Sequence, residues 1–131
     1  MFASLFVLLY VAHLAADYPL QTDHQAAHKA CAGVKGWRAN AAHAFTHVAA
    51  CGVALAVAAV VLGEGAGIWA SVAALVWIGA THAVIDRRWP VARWMQLARQ
   101  AGFAQHGGAA HVDQTAHLLA LAAAALFLAA V

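Results

Sequence analysis

In its apolar segments a chain that otherwise avoids charge places four pairs of histidine or aspartate residues four positions apart. They are His13 and Asp17, His43 and His47, His82 and Asp86, and Asp113 and His117. On a helix, positions i and i+4 share a face, so each pair presents two side chains in one direction. Imidazole nitrogen and carboxylate oxygen form a ligand set for zinc, iron, manganese and other divalent ions. The same groups move protons in hydrolysis, so Asp17, Asp86 and Asp113 are candidates for general-base work as well as ligation.

The elements that must carry these pairs are apolar. Of the 131 residues, 65% are hydrophobic and only 9% charged, too little charge to coat an aqueous surface but suited to a surface facing lipid. Four apolar segments, about 1–17, 41–62, 67–85 and 110–131, each approach the roughly 17–25 residues that cross the hydrocarbon. The first is the shortest. It lacks the basic start of a signal peptide and is expected to be retained. "GEGAG" at 63–67 reads as the tight turn of a helical hairpin. The two cysteines, Cys31 and Cys51, make no disulfide framework. The expected architecture is all-α: one integral membrane domain, a four-helix bundle with an additional amphipathic helix in the interface.

All seven basic residues fall in the two longer connections, 18–40 and 86–110. Four spans put both connections on one side, the cytoplasm by the positive-inside rule, with both termini outside. This basic charge therefore gives no reason to expect nucleic-acid binding. Segments one and three carry their pairs where they reach that side, and segments two and four where they leave it. All eight residues are thus predicted to converge on one layer near the cytoplasmic interface. Eight donors exceed one tetrahedral shell. They suit two ions roughly 3.5–4 Å apart, or one ion with outer residues and a general base. Zinc is the first expectation, with iron or manganese as alternatives.

Taken singly, each residue has a plainer reading. A histidine at a helix end can be an interfacial hydrogen-bonding group, and Asp113 can be an N-cap. Asp17 and Asp86 can be solvated by headgroups or paired with Arg87 or Arg88. Four matching pairs at one depth outweigh these readings, because ionisable groups in membrane segments are costly. Cys51 lies one turn beyond His47 and is expected to be a small core residue. Tyr10 is expected to pack, while Gln21 and Gln114 adjoin the cluster. His24, His28, His106 and His111 are expected in solvent or interface, with His24 the foremost exception. Residues 87–103, "RRWPVARWMQLARQAGF", place Trp94, Met95, Leu97 and Ala98 at helical spacing between arginines, the pattern of an interfacial amphipathic helix.

"HLAADYPLQTD", Lys29, "HAFTH", "THAVID" and "DQTAH", in that order, resemble an uncharacterised family of small bacterial and phage membrane proteins. That family is marked by H-x-x-x-D-F-x-L-Q, H-x-x-x-H, H-x-x-x-D and D-Q-x-x-H motifs, with Tyr18 here at the Phe position. The pattern is more distantly similar to membrane-bound metal-dependent hydrolases. The resemblance implies a multi-pass protein of the bacterial plasma membrane and no particular substrate. The expected function is a membrane-embedded metal-dependent hydrolase acting on a lipid-like or small cytosolic substrate. A di-iron membrane oxidoreductase and a non-catalytic metal-binding or structural protein are the alternatives. Membrane lipids are the expected surroundings. Four short helices bury little, so a homo-oligomer is compatible with the sequence.

Overall fold

A computed structural model describes residues Met1–Val131. It is all-helical: α1 Phe2–Asp17, α2 Asp23–His28, α3 Gly33–Val61, α4 Ile68–Ile85, α5 Trp89–Leu97, α6 Ala101–Gln105 and α7 Gly108–Ala130. The four long helices close a ring: α1 packs on α3 and α7, and α4 packs on the same two. The short helices sit at one end, α2 against α3, and α5 and α6 against α7.

Three helices, α3, α4 and α7, are long and apolar enough to cross a membrane. α1, at 16 residues, is shorter. At about 1.5 Å per residue it extends roughly 24 Å, against about 30 Å of hydrocarbon. Side-chain placement has the same sense. Val60 and Trp69 are 84% and 82% exposed, and valines, leucines and phenylalanines cover the outward faces of the ring. Apolar surface this extensive is expected where lipid, rather than water, is the solvent.

The interior divides along the helix axes. Leu5, Leu9, Ile78, Leu121 and Leu128, with Cys51 and several alanines, form an apolar core. Towards the end bearing α2, α5 and α6, the buried residues become histidine, asparagine and aspartate. Alanines at 58, 74, 124 and 125 are buried in the apolar half. Such small residues let membrane helices approach closely.

Two expected boundaries move. The helix expected from Ala41 begins at Gly33, so Lys35 and Arg38 ride on its first turns rather than in a loop. Gly36 allows the turn before it to close, since a Cβ there would collide with the Cys31 carbonyl. The amphipathic pattern over 87–103 is two helices, α5 and α6, because the backbone turns left-handed at Arg99 (φ 57). The buried stripe of α5 is Val91 and Met95, an i, i+4 pair, whereas Trp94 and Leu97 face outward. Pro90 occupies the first turn of α5, where its missing N–H costs nothing.

α2 orders the 18–40 connection through a capping box. The Thr22 hydroxyl accepts from the Gln25 backbone N–H, and the Gln25 side chain accepts from the Thr22 N–H. Arg87, just past α4, fastens this connection: its guanidinium donates to the carbonyls of Lys29 (2.9 Å) and Cys31 (2.8 Å) and lies 4.4 Å from the Trp37 ring centre.

Candidate metal centre

Five histidines, one or two from each long helix, meet inside the ring. His13, His43, His47, His82 and His117 are each at most 3% exposed. Their rings are in mutual contact, with centres 3.5 Å apart for His47 and His82, 4.4 Å for His82 and His117, and 4.9 Å for His13 and His47. Two carboxylates complete the layer. Asp17 Oδ1 lies 3.2 Å from Nε2 of both His43 and His47, and its Oδ2 lies 3.1 Å from His13 Nε2. Asp86 Oδ2 lies 3.1 Å from His82 Nε2, and Oδ1 lies 3.9 Å from His117 Nε2.

The donor atoms fall into two groups. Asp17, His43, His47 and His82 each offer an atom within 4.8 Å of the others, and so do His82, Asp86 and His117. His82 belongs to both. A cation between such atoms would draw each donor to about 2 Å.

The polar atoms are under-satisfied without one. His13 Nε2, His82 Nε2 and His117 Nε2 are buried beside carboxylate oxygens, yet none has a hydrogen bond of acceptable angle, and Asp86 Oδ2 is held by ion pairs alone. Ion-pair distance and hydrogen-bond geometry therefore disagree here, and the angles decide, because a misaligned N–H gains little. Native proteins seldom leave buried polar atoms unpaired. The lone pairs of His82, His117 and Asp86 lie close enough together to be shared by one ion, so the donor set fits a divalent cation.

Lys29, at the end of α2, reaches into this layer. Its Nζ lies 3.0 Å from Asp86 Oδ2 and 3.1 Å from His43 Nε2. The amide nitrogen of Gln21 lies 2.9 Å from the same His43 Nε2. One imidazole nitrogen cannot accept from Lys29 while donating to Asp17, so these contacts compete. Burial alone would raise the pKa of the Asp86 carboxyl. The adjacent His82 and the Lys29 ammonium outweigh it and hold the group below the usual carboxylate range.

Seven of the eight expected residues are thus brought together. Asp113 stands at the edge: its side chain is 25% exposed, with Oδ2 3.4 Å from His117 Nδ1. It lies within α7, which starts at Gly108, so it is not an N-cap. Asp86 pairs with Lys29 rather than with Arg87 or Arg88. Cys51 is a core residue, as expected. Tyr10 stacks on Phe6 at 6.3 Å. His24 does not join the cluster but stacks on His28, with ring centres 4.5 Å apart. His106 bonds its own helix through the Gly102 carbonyl.

Two further contributors had no place in the pattern of pairs. Lys29 was marked by position alone, although the Thr22–Gln25 capping box signals a short helix that brings it back over the cluster. Asn40, 1% exposed, donates to the Ala83 carbonyl at 3.1 Å and ties α3 to α4 one turn from His43. It sits one turn before His43 on the same face, and that register was its only signal.

The layer opens towards α5 and α6. A small opening of about 180 Å³ is lined by Asp17, Tyr18, Gln21, Lys29, Asp86, Asp113 and Gln114. It shares Gln21, Lys29, Asp86 and Asp113 with a larger cleft of about 780 Å³ running under α5 and α6.

The family described as "Protein of unknown function (DUF3307)" matches residues 5–131. The chain belongs to that family. No curated protein and no solved structure matches the chain. DUF3307 brings no stated activity, so function has to be argued from the site.

Proposed function

We propose that the protein is a membrane-embedded, metal-dependent hydrolase. In this reading α1 joins the three long helices as a fourth span, completing a four-helix bundle that forms a single domain. α5 lies in the headgroup layer, both longer connections face the cytoplasm, and the membrane is the bacterial plasma membrane. The observation that carries the reading is the buried layer of five imidazoles and two carboxylates with unpaired donor atoms, placed beside an open cleft. A purely structural role would leave that layer paying for buried, unpaired polar atoms with nothing in return.

His43, His47, His82, His117, Asp17 and Asp86 are the holding residues, with His13 supporting Asp17. Zinc suits this mixture of nitrogen and oxygen donors, and one or two ions fit the two overlapping groups. A bound ion would supply Lewis acidity towards water. Asp113, half out of the layer and facing the cleft, is the group best placed to take up a proton from an attacking water and return it to a leaving group. Metal transport would need a polar path through the rest of the ring, and the apolar core of Leu5, Leu9, Ile78, Leu121 and Leu128 supports hydrolysis over passage.

Elemental analysis of protein purified without added metal tests the reading. One or two equivalents of zinc are expected. Iron with visible absorption would turn the assignment to a di-iron oxidoreductase, and protein that neither retains nor takes up a divalent ion would overturn it.

A further inference from the structure

The cleft under α5 and α6 has a chemistry distinct from the histidine layer it joins. Lys29, Arg88 and Arg99 supply its cations, and Asp86 and Asp113 its only carboxylates. Asp86 is engaged by Lys29 at 3.0 Å, and Asp113 faces His117 at 3.4 Å. Both guanidiniums are therefore left without an acidic partner. They flank α5, one at its N-cap and one just past its C-terminus, and converge on one cleft from opposite ends of that helix.

Backbone conformation singles out the same two residues. Arg88 (φ 64) and Arg99 (φ 57) are the chain's only non-glycine residues in the left-handed region. Glycine or asparagine adopts that conformation at less cost, so the bend alone does not call for arginine. Between the two arginines the lining is apolar. Val91 and Met95 are buried along it, and alanines of α6 and α7 continue it. On the outer side of α5, Trp89, Trp94 and Leu97 are more than 60% exposed. Tryptophans so placed favour the lipid headgroup layer. At about 780 Å³ the cleft falls within the roughly 300–1,000 Å³ typical of small-ligand sites.

We propose that this cleft binds the phosphate-bearing headgroup of a membrane lipid, with Arg88 and Arg99 on the phosphate and the Val91–Met95 wall against the glycerol and upper acyl chain. Guanidinium forks match phosphate oxygens in charge and geometry. The lipid's polar end then lies beside Asp86 and Asp113, at the mouth of the histidine layer. As a substrate assignment this rests on the hydrolase reading. As a binding site it does not.

Native mass spectrometry of the purified protein, with phosphatidic acid and the matching diacylglycerol as probes, tests the site. Wild type is expected to retain phosphatidic acid and not diacylglycerol. The double variant R88N/R99N, which tolerates the left-handed backbone, should weaken phosphatidic acid binding by at least about tenfold, since charged hydrogen bonds to phosphate are lost. R88K/R99K should keep part of it. Helicity by circular dichroism confirms that the variants fold. Equal retention by wild type and folded R88N/R99N overturns the proposal. So does retention of diacylglycerol equal to that of phosphatidic acid. Glycerol phosphate competing as well as the lipid would mean a soluble phosphate ester is the ligand and would overturn the lipid assignment. Metal content and zinc uptake measured on the same samples separate the two readings: arginine-dependent lipid binding by protein that neither retains nor takes up a divalent ion would sink the hydrolase and leave this site standing.

Discussion

The same four helices enclose two interiors of opposite character. In one half Leu5, Leu9, Ile78 and Leu128 pack among alanines; in the other, imidazoles and carboxylates fill the space. In water the first half would drive folding and the second would burden it. In lipid that order changes, because hydrocarbon outside the ring is as apolar as leucine inside it and helix association has to come from close packing and polar contacts. The alanine-lined half sets how near the helices come. The histidine half, whose donors have no partners in lipid, sets which faces must turn inward. Register and rotation of the helices are therefore fixed chiefly by the residues that would bind the ion.

The largest effect expected from testing this contrast is at His82, the residue shared by both donor groups. His82→Ala should lower metal affinity by about 10–100-fold or more, the scale seen even for outer-shell losses. Metal content equal to wild type, with fold retained, would show that the layer is not a centre. Next comes Leu9→Ala in the fully buried apolar half, expected to cost on the order of 2 kcal/mol, at the low end for such cavities. The folded fraction should keep its metal, and parallel loss of stability and metal would mean that the two halves are not separable. Asn40→Ala removes the tie to the Ala83 carbonyl and should cost about 1 kcal/mol in unfolding titrations. The smallest effects are reserved for His28→Ala and His106→Ala, which bond only their local backbone. Their metal content should match wild type within error, and losses comparable to His82→Ala would point to non-specific histidine binding.

Much of this contrast was legible in the sequence. The i, i+4 spacing reports a helix face directly, and the alternating direction of the segments places the pairs at one end, so the layer of His13, His43, His47, His82 and His117 followed from pattern alone. What pattern could not give was anything that depends on where a connection folds back. Lys29 enters the layer because a six-residue helix and the Arg87 clamp return it there, and neither belongs to an apolar period. The break at Arg99 was hidden for a related reason: a left-handed residue normally signals itself as glycine, and here it is arginine. Helix α3 overran its expected start because hydropathy marks only the apolar stretch, whereas helix formation continues back through Arg38 and Lys35.

The Lys29 ammonium, 3.0 Å from Asp86 and 3.1 Å from His43, gives the centre a resident counter-charge of its own. Under the metal reading, filling the centre is then a substitution of one cation for another rather than the addition of the ion's full charge to a low-dielectric space. The arriving ion sheds water as the ammonium regains it, and the two hydration terms oppose each other. Because Arg87 grips the backbone of Lys29 and not its side chain, the swap needs only a lysine rotamer to change. Exchanging an ammonium for a divalent ion raises the charge at that depth by one unit instead of two, and one of the two carboxylates keeps a cationic partner when the layer is empty.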